Sequence, residues 1–253
     1  MAVQTETKTG KYIYAIMAGG GLPEGLAAEG IDGGAVYAIS DGHLAAVVSD
    51  VPNRSIRPER RYMAAHHKVQ RRLMGSGGML PMAFGVIGDG EEGIRRVLAV
   101  NRSALTSQLR RVAGKVEMSL RVAWKVPNIF EYFVRTHPEL RQYRDRLFGG
   151  GGEPSEEAKI ELGRLFDRAR SADRSAHTDL VTGVLDPVCF EIEVNPPRSE
   201  DEVMRLACLV EAEEQQRFEE LVFEAARHFD DNYSFDYGGP WPPYSFVDLS
   251  LEL

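Results

Sequence analysis

The sequence predicts an α+β fold in two domains, residues 11–113 and 115–253. Three observations carry that prediction. First, Val116, Met118, Leu120, Val122 and Trp124 alternate strictly with Glu117, Ser119, Arg121, Ala123 and Lys125. A period-two pattern with one largely polar side makes a strand whose sheet is covered by helices on one face only. Second, Asp41-Gly42 lies between two alternating apolar runs, a strong short-range signal for a β-hairpin. Third, several segments, such as 213–229, carry apolar residues at helical spacing between the strands.

Residues 11–17 (K-Y-I-Y-A-I-M) set Tyr12, Tyr14 and Ile16 against Ile13, Ala15 and Met17. Both sides are apolar, which suits a central strand. The Gly19-Gly20-Gly21 loop that follows has neither the G-x-G-x-x-G spacing nor a Walker lysine, so no nucleotide site is expected there. Strands at 36–40 and 44–49 flank Asp41-Gly42. Pro58 then opens a helix with Tyr62, His66, Val69 and Leu73 on one face. Arg60, Arg61, Lys68, Arg71 and Arg72 cover much of the remainder. His66 and His67 diverge by about 100° on a helix and cannot easily share a metal. The expectation is a satisfied, partly buried His66 and a surface His67. Residues 79–87 read as one strand, with Leu80, Met82, Phe84 and Val86 on one face. A single helix then carries Ile94, Val97, Leu98, Asn101, Leu105, Leu109 and Val112, and Gly114 fits its C-cap.

The second domain opens with the 116–124 strand, which Pro127 ends. Helical pieces at 129–135 and 138–148 meet at His137-Pro138. After the break Gly149–Gly152 comes a long helix from 156 to about 178. A strand at 188–194 is expected to turn Val188, Phe190, Ile192 and Val194 inward and Glu191 and Glu193 outward. Asn195-Pro-Pro-Arg-Ser returns the chain to a strand at 204–210, followed by the 213–229 helix and a strand at 232–237. Strand, helices, strand, strand, helix, strand is two β-α-β halves, the ferredoxin-like arrangement with added helices.

The totals exclude some functions. With 253 residues, 43% apolar and 27% charged, the composition is that of a globular chain. No apolar run approaches 18 residues, so no membrane helix is expected, and the first ten residues lack the apolar core of a signal peptide. Cys189 and Cys208 are the two cysteines; free, buried thiols in a reducing compartment are the simplest account, with a hairpin disulfide as the alternative. The net charge of −8 argues against nucleic acid, yet the charge is unevenly placed. Residues 199–253 hold fourteen acids against three arginines, whereas 54–72 holds seven basic residues against Glu59.

No nucleophile–base–orienter set emerges. Neither cysteine has a helix N-terminus or a cationic neighbour to activate it. Glu191 and Glu193, two apart on a strand, share a face; they are either paired carboxylates or the solvent side of a half-buried strand. No residue is therefore assigned a catalytic, cofactor-binding or metal-binding role. What remains is the closing Y-G-G-P-W-P-P-Y-S-F-V. Pro240, Pro242 and Pro243 restrict the backbone, so Trp241 and Tyr244 are held at small entropic cost. They are placed either for a protein interface or as a lid on their own core.

Gly239-Pro-Trp-Pro-Pro-Tyr-Ser-Phe-Val247 resembles the closing signature of the gas vesicle F/L family, accessory proteins of gas vesicle assembly. Other stretches resemble that family in the same order: the Y-I-Y-A-I strand, Leu80-Pro-Met-Ala-Phe-Gly-Val86, Ser119-Leu-Arg-Val-Ala-Trp-Lys125, Ile160-Glu-Leu-Gly-Arg164 and the apolar strand at 204–210. One departure is Ala83, where many members carry arginine. The resemblance implies an N-terminal α+β domain of unusual topology joined to a modified ferredoxin-like domain. It also implies a non-enzymatic structural or assembly component that binds the small hydrophobic major shell protein, with other accessory proteins as further candidate partners. No cofactor, nucleic acid or lipid membrane goes with it, and the location implied is the gas vesicle in the cytoplasm. An apolar surface beyond what its own core consumes is then expected on the first domain. The alternative is an enzyme or small-molecule-sensing module with a pocket between the domains.

Overall fold

The strand expected at 11–17 is the centre of the first sheet. In the computed structural model, which describes residues 9–19, 28–74, 77–150 and 153–248, β1 (Thr9–Ala18) pairs with β3 (Leu44–Pro52) along its whole length. The sheet runs in the order β2 (Val36–Ser40), β3, β1, β4 (Met79–Pro81), and β5 (Ile87–Gly88) also pairs with β1. All these pairings are antiparallel. The Asp41 side chain closes the β2–β3 hairpin by accepting from the amides of His43 and Leu44 at 2.8 and 2.7 Å, with Gly42 at φ 90°.

A β-bulge between Ile13 and Ala15 changes the facing of β1. Simple alternation groups Ile16 with Tyr12 and Tyr14. Beyond the bulge, Ala15 and Met17 instead join Tyr12 and Tyr14 in one core, with Val47, Val69 and Leu73, while Ile13 and Ile16 turn to the other side. The 79–87 strand is also interrupted. Gly85, at φ 90°, turns the chain between β4 and β5, so Phe84 leaves the ladder, while the Val86 carbonyl still accepts from the Ile13 amide at 2.9 Å.

Three helices complete this part of the chain: α1 (Arg60–Leu73), α2 (Gly90–Val100) and α3 (Arg102–Val112). The last two were expected as one. Asn101 separates them; its side chain donates to the Val97 carbonyl at 2.8 Å and so competes with the helical backbone.

The second sheet runs in the order β7 (Cys189–Asn195), β8 (Glu202–Glu211), β6 (Lys115–Trp124), β9 (Tyr233–Trp241). The helices are α4 (Ile129–Thr136), α5 (Pro138–Phe148), α6 (Glu156–Leu185) and α7 (Gln215–Ala226). Asn128 caps α4 and Ser155 caps α6 through side-chain oxygens that accept from Glu131 and Ala158 amides. α6 continues beyond the expected end near 178, through Thr182-Gly183, to Leu185. The inward strand face expected at Val188, Phe190, Ile192 and Val194 is not realised. Strand β7 lies at a sheet edge with a bulge after Cys189, and Phe190 and Val194 are 62% and 54% exposed. Inside this part, Arg121 reaches Glu202 at 2.8 Å, Asp236 at 3.2 Å and Asp201 at 3.3 Å.

The chain divides into two units, Met1–Glu117 with Gly239–Leu253, and Met118–Gly238. The closing residues therefore belong with the first unit, not with the 115–253 domain expected from sequence order. The physical reason is burial of Pro242, Pro243 and Phe246 and their neighbours' bonds to first-unit side chains, described next.

Candidate binding site

Two features of the first unit have the character of a site. The first is an apolar cleft of about 300 Å³ between the sheet and α2. The bulge in β1 directs both Ile13 and Ile16 to it, and Ala46 of β3 joins them. Val86, Ile87 and Gly88 form a second wall, and Gly93, Ile94, Val97 and Leu98 of α2 the third. Ile16, Ile94 and Leu98 form a buried floor, while Val86, Ile87 and Val97 are partly exposed. The charges lining it are Asp89 and Arg96. Two glycines shape the space. A Cβ on Gly88 would lie 2.3 Å from Ile94 Cδ1, so its absence lets Ile94 pack down. A Cβ on Gly93 would meet only Asp89 Cβ, at 3.8 Å, so the cleft is open there because glycine leaves it open. Such a cleft, with few polar groups, suits apolar side chains and offers no reacting group.

The second feature is the strap formed by residues 239–248, which begins with the cis Gly239–Pro240 peptide. Pro242 and Pro243 are buried, and Phe246 is only 1% exposed. Trp241, which drew attention in the sequence, is 42% exposed and does not lid a core. Tyr244 does the binding work of the strap. Its hydroxyl contacts Gln70 Oε1 and lies 3.2 Å from His66 Nε2. Ser245 gives its amide and hydroxyl to the two carboxylate oxygens of Glu117 at 2.8 and 3.0 Å. Gln108 donates to the Asp248 carbonyl at 3.3 Å.

The directions of these bonds follow from the donors available. Gln70 Nε2 donates to the carbonyls of Tyr14 and Met82 at 2.8 and 3.0 Å, which leaves its Oε1 as acceptor for Tyr244. The Tyr244 oxygen then accepts from His66 Nε2–H. Tyr12, whose oxygen accepts from the Gly85 amide at 3.1 Å, gives its proton to His66 Nδ1 at 2.9 Å. Every member is satisfied with a neutral imidazole. Burial, reinforced by neighbouring His67, pulls the His66 pKa down to about 4, with the nearby Met82 carbonyl opposing. Burial also pushes the Tyr12 and Tyr244 hydroxyls up to about 12.

The other residues singled out in the sequence are dispersed. His66 is fully buried and His67 exposed. Cys189 is half-buried and Cys208 buried, and no disulfide joins them. Glu191 and Glu193 share a face of edge strand β7, opposite Leu209 and Ala207. Among the described residues no group of three or more His, Cys, Asp or Glu is arranged to hold a metal. Gln70 and Glu117, which anchor the strap, belong to no motif in the sequence. Gln70 had a legible signal, since it is a polar residue inside the apolar arc of α1, four positions after His66.

Comparison with known proteins gives one consistent answer. The model of a family described as gas vesicle synthesis protein GvpL/GvpF matches residues 10–248. Gas vesicle protein F of Dolichospermum flosaquae is 27% identical over 241 residues, covering 94% of this chain and 97% of that protein. Gas vesicle protein F of a Streptomyces species is 28% identical over 243 residues, covering 94% and 99%. The crystal structure of gas vesicle protein GvpF from Anabaena sp. matches with a TM-score of 0.85 and 25% identity, over 96% of this chain and 99% of that one.

Proposed function

The chain belongs to the GvpL/GvpF family of gas vesicle synthesis proteins, and from that premise we propose that its first unit binds the hydrophobic major shell protein through the apolar cleft. Family membership supports a role in gas vesicle assembly. The finer reading is that of a non-enzymatic accessory protein that delivers or orders shell subunits during nucleation or growth of the vesicle, in the cytoplasm and at the vesicle. Other accessory proteins are further partners on this reading, and nucleic acid and lipid membrane are not.

The cleft is the observation that carries this proposal. It is an apolar surface that the unit's own core leaves uncovered, made by the β1 bulge and by Gly93. An assembly factor for a very apolar subunit needs such a surface to cover the subunit before it meets its own kind. The second unit is read as a modified ferredoxin-like domain, which the strand order β7-β8-β6-β9 supports. It serves as scaffold and supplies further surface.

A binding titration of the full chain against detergent-solubilised shell protein tests the proposal. The expectation is saturable binding with Kd of about 1–10 μM or tighter, changed little between about 0.1 and 0.5 M salt, because burial of apolar area is not screened. Absence of binding at about 100 μM, or binding that salt abolishes, contradicts it.

A further inference from the structure

Helix α1 has an exposed outward face that is not packed on by the described residues. His66, Val69, Gln70 and Leu73 are buried, and the opposite arc carries Arg60, Ala64, His67, Lys68 and Arg71, all exposed. Among the described residues Arg60, Lys68 and Arg71 enter no ion pair; the acid nearest in sequence, Glu59, pairs with Arg61 at 3.0 Å. At 1.5 Å per residue the stripe from Arg60 to Arg71 is about 16 Å long. Unpaired like charges along one helix face repel each other unless something acidic lies against them.

The same chain carries a surface of opposite sign on α7. Phe218, Leu221, Val222 and Ala225 are buried, and the outer arc holds Glu220 and Glu224 beside Phe223. Phe223 is 55% exposed and meets Tyr237, itself 40% exposed, edge-on at 6.1 Å. Glu219 accepts from the Tyr237 hydroxyl at the margin of the pair. The cations on this side are Arg217, bonded to Glu220 at 2.8 Å, and Arg227. An exposed aromatic pair bordered by Glu219, Glu220 and Glu224, with Arg227 beside Phe223, has the composition of an interface centre with a polar rim.

We infer that the basic face of α1 in one copy of this chain docks on the acidic, aromatic face of α7 in a second copy. The charges are complementary and both faces are exposed in the chain as it stands. The helices match in extent, 14 residues in α1 and 12 in α7. The arginine and lysine stems beside Ala64 cover the rings of Phe223 and Tyr237, and a guanidinium over Phe223 adds a cation–π contact. The two faces differ, so a single such contact leaves one α1 face and one α7 face for further copies. Copies therefore either add in sequence or close as a ring. Neither face includes a residue of the apolar cleft, so this inference stands or falls separately from the shell-protein proposal.

Sedimentation velocity of the full chain from about 2 to 200 μM, at about 0.05 and 0.5 M salt, tests it. The wild-type mass is expected to rise above the monomer with concentration at low salt and to return towards it at high salt. Two charge-reversed variants, Arg60→Glu/Lys68→Glu/Arg71→Glu and Glu220→Lys/Glu224→Lys, should each be monomeric, with unchanged circular dichroism. An equimolar mixture of the two should associate again, because each reversed face then meets its complement. Phe223→Ser should weaken wild-type association at least about tenfold without altering charge. A wild-type chain monomeric throughout, variants that associate as the wild type does, or a mixture that stays monomeric would each overturn the inference.

Discussion

The hydroxyl of Tyr244 lies 3.2 Å from Nε2 of His66, two side chains 178 positions apart in the sequence. Through this contact the most recognisable stretch of the chain is joined to the first unit's core. Tyr244 binds Gln70 as well, and Gln70 in turn bonds to the backbone of β1 and of the segment after β4. The strap is thus a structural part of the unit that carries the cleft.

Removing the Tyr244 hydroxyl leaves both Gln70 Oε1 and His66 Nε2–H without a partner in a buried place. Tyr244→Phe is expected to cost about 1–3 kcal/mol, the usual penalty for an orphaned buried polar group. In thermal unfolding this is a fall of about 2–4 °C for each kcal/mol in a chain of this size. Ser245→Ala, at an exposed position, should cost less, within about 1 kcal/mol.

Acid should weaken the fold through His66. Its pKa is about 4 in the fold and 6.5 for the unperturbed side chain, so the unfolded chain takes up the proton first. Its contribution is complete above pH 6.5, declines as pH falls, and is fully lost near pH 4, a difference of about 3 kcal/mol. Urea titrations at pH 7.5 and 4.5 should show a smaller drop in unfolding free energy for His66→Gln than for the wild type. An equal drop in the two proteins would mean that His66 is not the group responsible.

The two large aromatics of the strap should differ sharply. Phe246 is 1% exposed, and Phe246→Ala is expected to cost about 3–5 kcal/mol through lost burial and the cavity left behind. Trp241 is 42% exposed, and Trp241→Ala should cost less than half as much. Chemical denaturation of the two variants side by side gives the comparison.

In the second unit, Arg121 holds the Glu202 carboxylate, which is 6% exposed, at 2.8 Å. Burial pushes this carboxyl up, but the Arg198 amide and Arg121 together bring its pKa below the usual value. Arg121→Ala leaves the carboxylate with the Arg198 amide and the charge of Arg205. Since Arg121 is itself 38% exposed, the expected loss is moderated by solvent, about 1–2 kcal/mol. Glu202→Gln in the same background should recover part of it, and a double-mutant cycle measures the coupling.

Much of this architecture was legible in the residues. The strict alternation of 116–124, the Asp41-Gly42 hairpin and the helical stripes of α1 and α7 all appear where local pattern places them. The errors lie where a single residue overrides a period. The bulge after Ile13 re-faces Ile16, Gly85 splits a strand, and Asn101 splits a helix, none of which changes hydrophobicity enough to be seen. The edge position of β7 was likewise invisible, because alternation does not reveal whether a strand has a neighbour on each side. The strap was read as part of the second domain because sequence order places it there. Its partners His66, Gln70 and Glu117 are long-range and could be found only in three dimensions. The cleft depends on both kinds of hidden feature, a bulge and a glycine, which is why it had no motif to announce it.

The central claim is that the cleft of the first unit takes up the shell protein, and Gly93→Leu tests it most directly. Position 93 lies on the cleft wall with open space around its Cβ, and leucine is a better helix former than glycine by about 1 kcal/mol. The variant should therefore be at least as stable as the wild type while its side chain fills the cleft. Measured by the same titration, its affinity for the major shell protein is predicted to fall at least about tenfold, equivalent to about 1.4 kcal/mol. Wild-type affinity in a stably folded Gly93→Leu chain would contradict the account.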